Sequence, residues 1–115
     1  KNKLNKILYQ FKEKNLKIYG FGAPAKLTTF FYMFGMKKQL FEAIVDDNVL
    51  KQNLYTPGKK IPIISYKKLL KKNFDVILIF AWNFSSSIIS RLSKDFKNSQ
   101  KKLIVPFPKV KVIKC

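Results

Sequence analysis

Residues 76–80 read Val76-Ile77-Leu78-Ile79-Phe80, five apolar residues in succession. Successive side chains of a strand point to opposite faces, so such a run must be covered on both sides. That is the habit of a central strand in a parallel sheet. Parallel neighbours cannot be joined by a hairpin; they need crossover connections, usually helices. This run therefore predicts an α/β chain before any other segment is considered.

The rest of the chain supplies the alternation. Leu4, Ile7, Leu8 and Phe11 recur at helical spacing over residues 3–14. Ile18 and its neighbours suit a buried strand. A second helix is predicted where Leu27, Phe30, Phe31 and Phe34 repeat the spacing, with Gly35 as its stop. Residues 42–46 form a second strand ending at Asp46. Tyr55-Thr56-Pro57-Gly58 is a turn signal, and residues 61–64 are a short strand. Pro62 lacks an N–H, which points to a sheet edge. Ser65 caps a short helix carrying Tyr66, Leu69 and Leu70. Ile88, Ile89, Leu92 and Phe96 mark another helix, residues 103–105 another strand, and residues 110–113 a last extended piece. With right-handed crossovers, the expected architecture is a three-layer Rossmann-like open parallel sheet. Its strand order is 3-2-1-4-5, with helices on both faces.

In such a sheet, ligands sit beyond the carboxyl ends of the strands, at the point where the strand order reverses. Three loops converge there. The first is Gly20-Phe21-Gly22-Ala23-Pro24-Ala25-Lys26. Gly20 and Gly22 permit a sharp turn, and Pro24 suits the first turn of a helix. A helix starting there aims free N–H groups at an anion. The backbone of Gly20, Phe21, Gly22 and Ala23 is thus a candidate diphosphate cradle, with Lys26 adding a point charge. The second loop carries Asp46, Asp47 and Asn48, where a carboxylate takes ribose hydroxyls in dinucleotide folds. The third carries Trp82 and Asn83: the ring is a candidate stacking surface, against plain packing at a strand end, and Asn83 is also placed to cap the following helix.

Composition narrows the function. The 115 residues make one domain, and 47% hydrophobic content suits a folded one. The chain has no histidine, and its six acidic residues form no metal-ligand spacing. Ser85, Ser86 and Ser87 stand in a row with no base, and read as a polar helix start. No catalytic residue and no metal site is expected. The net charge is +18, yet of the 24 basic residues only Arg91 is arginine, the residue that base readout favours. The lysines are scattered, so no specific nucleic acid is expected. No apolar run approaches membrane-spanning length and no signal peptide is visible, so a cytoplasmic protein without a membrane partner is expected. The one cysteine, Cys115, agrees with a reducing compartment. The chain opens at Lys1, as a piece of a longer protein would. The residues alone leave three readings open: a nucleotide-binding accessory domain, a NAD- or other dinucleotide-binding Rossmann domain, and a ligand-free Rossmann-like scaffold for domain packing.

Four blocks together carry a resemblance. They are Ile18-Tyr19-Gly20-Phe21-Gly22-Ala23-Pro24-Ala25-Lys26; Ile44-Val45-Asp46-Asp47-Asn48 with Lys51-Gln52; Tyr55-Thr56-Pro57-Gly58 with Ile61-Pro62-Ile63; and Leu78-Ile79-Phe80-Ala81-Trp82-Asn83-Phe84. In this order and spacing, over residues 17–108, the chain resembles the C-terminal domain of the S-adenosylmethionine-dependent sugar-nucleotide C-methyltransferases. The resemblance implies a three-domain enzyme, with a zinc-bearing N-terminal part and a middle domain that binds S-adenosylmethionine and holds the catalytic groups. The C-terminal domain then binds no cofactor itself. It anchors the nucleotide of a deoxythymidine-diphosphate-linked sugar, and its partners are that nucleotide-linked deoxysugar and the rest of its own chain. The family usually continues the alanine–lysine pair with glycine and asparagine, where this chain has Leu27 and Thr28.

Scattered lysines give a clear expectation for DNA. Binding to duplex DNA should be weak and should vanish as salt rises, because it rests on counterion release alone. A fluorescence anisotropy titration at low and high salt measures this; sequence-dependent affinity persisting at high salt would contradict it.

Overall fold

The computed structural model describes residues 2–22, 40–56 and 61–115. Among these residues one sheet of six strands forms the middle layer: β1 (Ile18–Phe21), β2 (Ile44–Val45), β3 (Ile63–Ile64), β4 (Val76–Ile79), β5 (Lys102–Val105) and β6 (Lys111–Lys114). Their order is β3-β2-β1-β4-β5-β6. The first five strands are parallel, in the order expected from the sequence. β6 adds an antiparallel strand beyond β5, which turns the predicted extended tail into an edge of the sheet. The expected helix over Leu27, Phe30, Phe31 and Phe34, and the turn at Pro57 and Gly58, lie outside the described residues.

β4 is central and buried along its whole length. It pairs with β1 in the register Ile18↔Val76, Tyr19↔Ile77, Gly20↔Leu78 and Phe21↔Ile79. Asp75 secures the start of this pair: its carboxylate accepts from the Lys17 amide at 2.8 Å, and the Lys17 carbonyl accepts from Val76 at 3.0 Å.

The pleat sorts the apolar side chains into two cores, one on each face. Ile18, Ile44, Ile63, Val76, Leu78, Phe80 and Ile104 face one side. Helix α1 (Asn2–Glu13) covers them. Leu4 and Leu8 of that helix are fully buried, each contributing roughly 1.5–3 kcal/mol of burial. Tyr19, Phe21, Val45, Ile77, Ile79 and Leu103 face the other side. There α2 (Tyr66–Leu69) and α3 (Ser85–Asp95) supply Tyr66, Leu69, Ile88 and Leu92. Ser65 caps α2 as expected, accepting from the Lys68 amide at 3.1 Å.

β3 lies at the other edge, where Pro62 placed it. Residues 53–56 run antiparallel beside it and close most of that edge. Asn53 donates to the Ile63 carbonyl at 2.9 Å, and Ile63 donates to Leu54 at 2.8 Å. The buried Thr56 hydroxyl accepts from the Ile61 amide at 2.9 Å.

Gly20 has a packing reason to be glycine. A Cβ there would run into the ring of Phe80 at Cε2 and lie 3.2 Å from Ile44. Phe80 is itself buried and packs on Phe41 with ring centroids 5.4 Å apart. Gly20→Ala should therefore destabilise the fold by roughly 1–3 kcal/mol through overpacking. Chemical denaturation measures the loss, and adding Phe80→Leu should restore part of it by clearing the space. No recovery in the double variant would place the strain elsewhere.

Candidate functional site

The carboxyl ends of β1, β2 and β4 open onto a cleft of about 540 Å³. Phe21 and Gly22 come from β1, Asp46 and Asp47 from the loop after β2, and residues 80–84 from the end of β4. Ser87, Ile88 and Arg91 of α3 form the remaining wall. This is the switch point of the sheet, and all three predicted loops reach it. Of the ten candidate residues, Phe21, Gly22, Asp46, Asp47, Trp82 and Asn83 line the cleft. Gly20 lies beneath Phe80 instead. Asn48 shapes the β2 loop, accepting from the Leu50 amide at 3.0 Å. Ala23 and Lys26 lie outside the described residues.

The glycines do not serve the cleft in the way their spacing suggests. Gly22 has φ +88°, and a Cβ there would lie 2.6 Å from that of Ala81. Its amide donates to the Val45 carbonyl at 2.7 Å, and the Gly20 amide to Ala43 at 3.0 Å. Both N–H groups are committed to protein carbonyls, so neither is offered to an anion. Their smallness lets β1, β2 and the β4 end come together.

The two aspartates divide their work. Asp46 is largely covered and its Oδ1 accepts from the Asn48 amide at 2.8 Å, closing an Asx turn. Its Oδ2 lies 3.9 Å from Lys51 Nζ. Gln52 Nε2 donates to the Asp46 carbonyl at 2.9 Å, fixing the loop from below. Asp47 points outward and is paired: Arg91 Nη1 donates to its two oxygens at 3.0 and 2.8 Å. Trp82 packs on Phe107, ring centroids 5.4 Å apart, while lining the cleft. Asn83 does not cap α3. The chain makes a 3-10 turn over Trp82–Phe84 first, so the cap position falls on Phe84 and no side chain fills it. Asn83 is left exposed at the rim.

Comparison with known proteins agrees with this geometry. Residues 1–108 match the model of the C-methyltransferase C-terminal domain. The C-methyltransferase NovU of Streptomyces niveus is 34% identical over 96 residues, which are 84% of this chain. The chain belongs to the C-methyltransferase C-terminal domain family. It spans 23% of the length of NovU.

Arg91 is the charged cleft residue that sequence patterning did not single out as a site residue in this member of the family. Its guanidinium lies 3.7 Å from the centroid of the Tyr66 ring and 5.9 Å from that of Phe21. The Tyr66 hydroxyl in turn donates to Asp95 Oδ2 at 2.6 Å. The signal available was its residue type. It is the lone arginine among lysines, at the border of the apolar stripe of α3, and stacking plus paired hydrogen bonding is what guanidinium does better than ammonium.

Burial, reinforced by the hydrogen bond to Asp95, pushes the Tyr66 phenol well above its ordinary value, with Arg91 opposing weakly. A raised folded-state value means the native protein holds this proton more tightly than the unfolded chain. The associated stability is complete below about pH 10, the unfolded value, and is lost as pH rises toward the folded one. Tyr66→Phe should cost about 0.5–1.5 kcal/mol at neutral pH. It should also show a shallower fall in stability above about pH 10 than the parent. Denaturant midpoints across that range check both; equal slopes would contradict the linkage.

Proposed function

We propose that this chain is the nucleotide-sugar-binding C-terminal domain of an S-adenosylmethionine-dependent sugar C-methyltransferase. It anchors the nucleotide diphosphate while a middle domain of the same enzyme transfers the methyl group. The observation that carries this reading is the cleft at the switch point, in a member of the C-methyltransferase family. It unites two carboxylates, an aromatic ring and a stacked arginine beyond three parallel strands. A sugar nucleotide needs those types of group: acceptors for sugar hydroxyls, a flat apolar surface for a ring, and a cation for phosphate.

Asn83 stands at the rim, where it meets hydroxyl or base edges, while Asp47 beside it is paired with Arg91. Trp82 offers its ring beside them. The methyl donor is assigned to the middle domain. S-adenosylmethionine supplies the electrophilic methyl group when bound; this domain holds the acceptor in place for it.

A nucleoside diphosphate sugar has one nucleoside on its diphosphate, whereas a dinucleotide needs a second nucleoside site. The chain should therefore bind thymidine diphosphate at about millimolar to tens of micromolar, roughly 4–6 kcal/mol. Amide shifts in a nitrogen–proton correlation spectrum should cluster at Gly22, Asp46, Asp47, Trp82 and Asn83. If NAD moves the same amides at lower concentration, the cleft is a dinucleotide site. If neither ligand moves them, the domain acts by packing alone.

A further inference from the structure

We infer that Arg91 is the phosphate-recognising group of the cleft, and that Asp47 occupies it when no ligand is bound. This inference rests on the nucleotide-sugar reading and names the group that carries its specificity for charge.

The amides of Gly20 and Gly22 are spent on Ala43 and Val45. Among the described residues lining the cleft, Arg91 is the cation. Despite 24 basic residues in the chain, no other described cation lines the cleft; Lys51 pairs with Asp46 at 3.9 Å without lining it.

The Arg91 guanidinium is preorganised by its neighbours. The Tyr66 ring lies under the guanidinium at 3.7 Å, and the Tyr66 hydroxyl is held by Asp95 at 2.6 Å. Tyr66 is itself buried between Phe21 and α3. The chain Asp95–Tyr66–Arg91 thus fixes the plane of the guanidinium beside Phe21, the residue that leads into the glycine turn. Lysine has neither the plane nor the fork.

A carboxylate taking hydrogen bonds from a guanidinium on both oxygens occupies the place that two oxygens of a phosphate take. Here one nitrogen, Nη1, serves both oxygens. Among the described residues Nη2 and Nε meet no acceptor, so most of the fork remains for a ligand. Asp47 is exposed, and its release to solvent on ligand binding carries little desolvation penalty. The arrangement is a competition between an internal anion and an external one, and it favours a ligand with more charge than one carboxylate. A diphosphate has it.

The test compares parent, Arg91→Lys and Asp47→Asn by calorimetric titration of the chain with thymidine diphosphate and with thymidine. Arg91→Lys should weaken thymidine diphosphate by about tenfold or more and leave thymidine unchanged, since charge is kept while plane and fork are lost. Asp47→Asn should tighten thymidine diphosphate by about threefold or more, because the internal competitor loses its charge. If Arg91→Lys does not fold, as judged by its thermal melt, the Asp47→Asn result decides alone. Parent-like affinity for thymidine diphosphate in Arg91→Lys, or equal weakening of both ligands, overturns the assignment. So does unchanged or weakened binding in Asp47→Asn. Absence of thymidine diphosphate binding by the parent overturns the nucleotide-sugar reading itself, and this inference with it. Parent binding that Arg91→Lys leaves intact overturns this inference only.

Discussion

The pairing of β1 with β4 is the contact on which the remaining structure depends. It joins segments nearly sixty residues apart, in parallel, with both strands buried on both faces. The chain between them contributes β2 and β3 to the same sheet before β4 returns beside β1. That order places β2 and β3 on one side, sends β5 to the other, and leaves a crevice where the two halves diverge. The cleft is therefore a product of topology before it is a product of its side chains. The Lys17–Asp75 hydrogen bonds matter for the same reason: a slip of one residue at that end would exchange the two cores.

Gly20 shows how closely site and core are joined. Its missing side chain accommodates Phe80, and Phe80 ends β4 where the third cleft loop begins. Gly22 does the same for Ala81 one step further on. The ends of β1 and β4 are thereby held to each other by contact between a bare backbone and a side chain.

Much of this was legible from residue patterns. The unbroken apolar run at 76–80 announced the central strand, Pro62 an edge, and the order of helices and strands the topology. Asp46, Asp47 and Trp82 were found because strand ends at a switch point can be located from sequence. What escaped depends on contacts between distant residues. Phe80 is sixty positions from Gly20, so the glycine was credited to a ligand when a ring required it. Arg91 faces the cleft because α3 packs through Ile88 and Leu92 on the sheet, and helix periodicity does not say which border of the apolar stripe overlooks a loop from elsewhere. The antiparallel pairing of β6 follows from a turn through Phe107 and Pro108 that has no alternation to announce it. Asn83 missed the cap because a 3-10 turn over Trp82–Phe84 shifted the helix start by one residue.

The β6 edge gives part of the lysine excess a physical task. This strand is mostly exposed, and Lys111 and Lys114 stand at its two ends around Val112 and Ile113. An open strand offers unpaired backbone groups to any second strand that approaches, and like charges are a common deterrent against such stacking. At the opposite margin the same hazard is met by a different device, a lid of residues 53–56 bonded along β3. The sheet is thus finished on one side by covering and on the other by repulsion. The repulsive side is the one that dissolved ions weaken. Ionic strength therefore acts on the β6 margin, where like charges stand, and leaves the hydrogen-bonded β3 margin as it is.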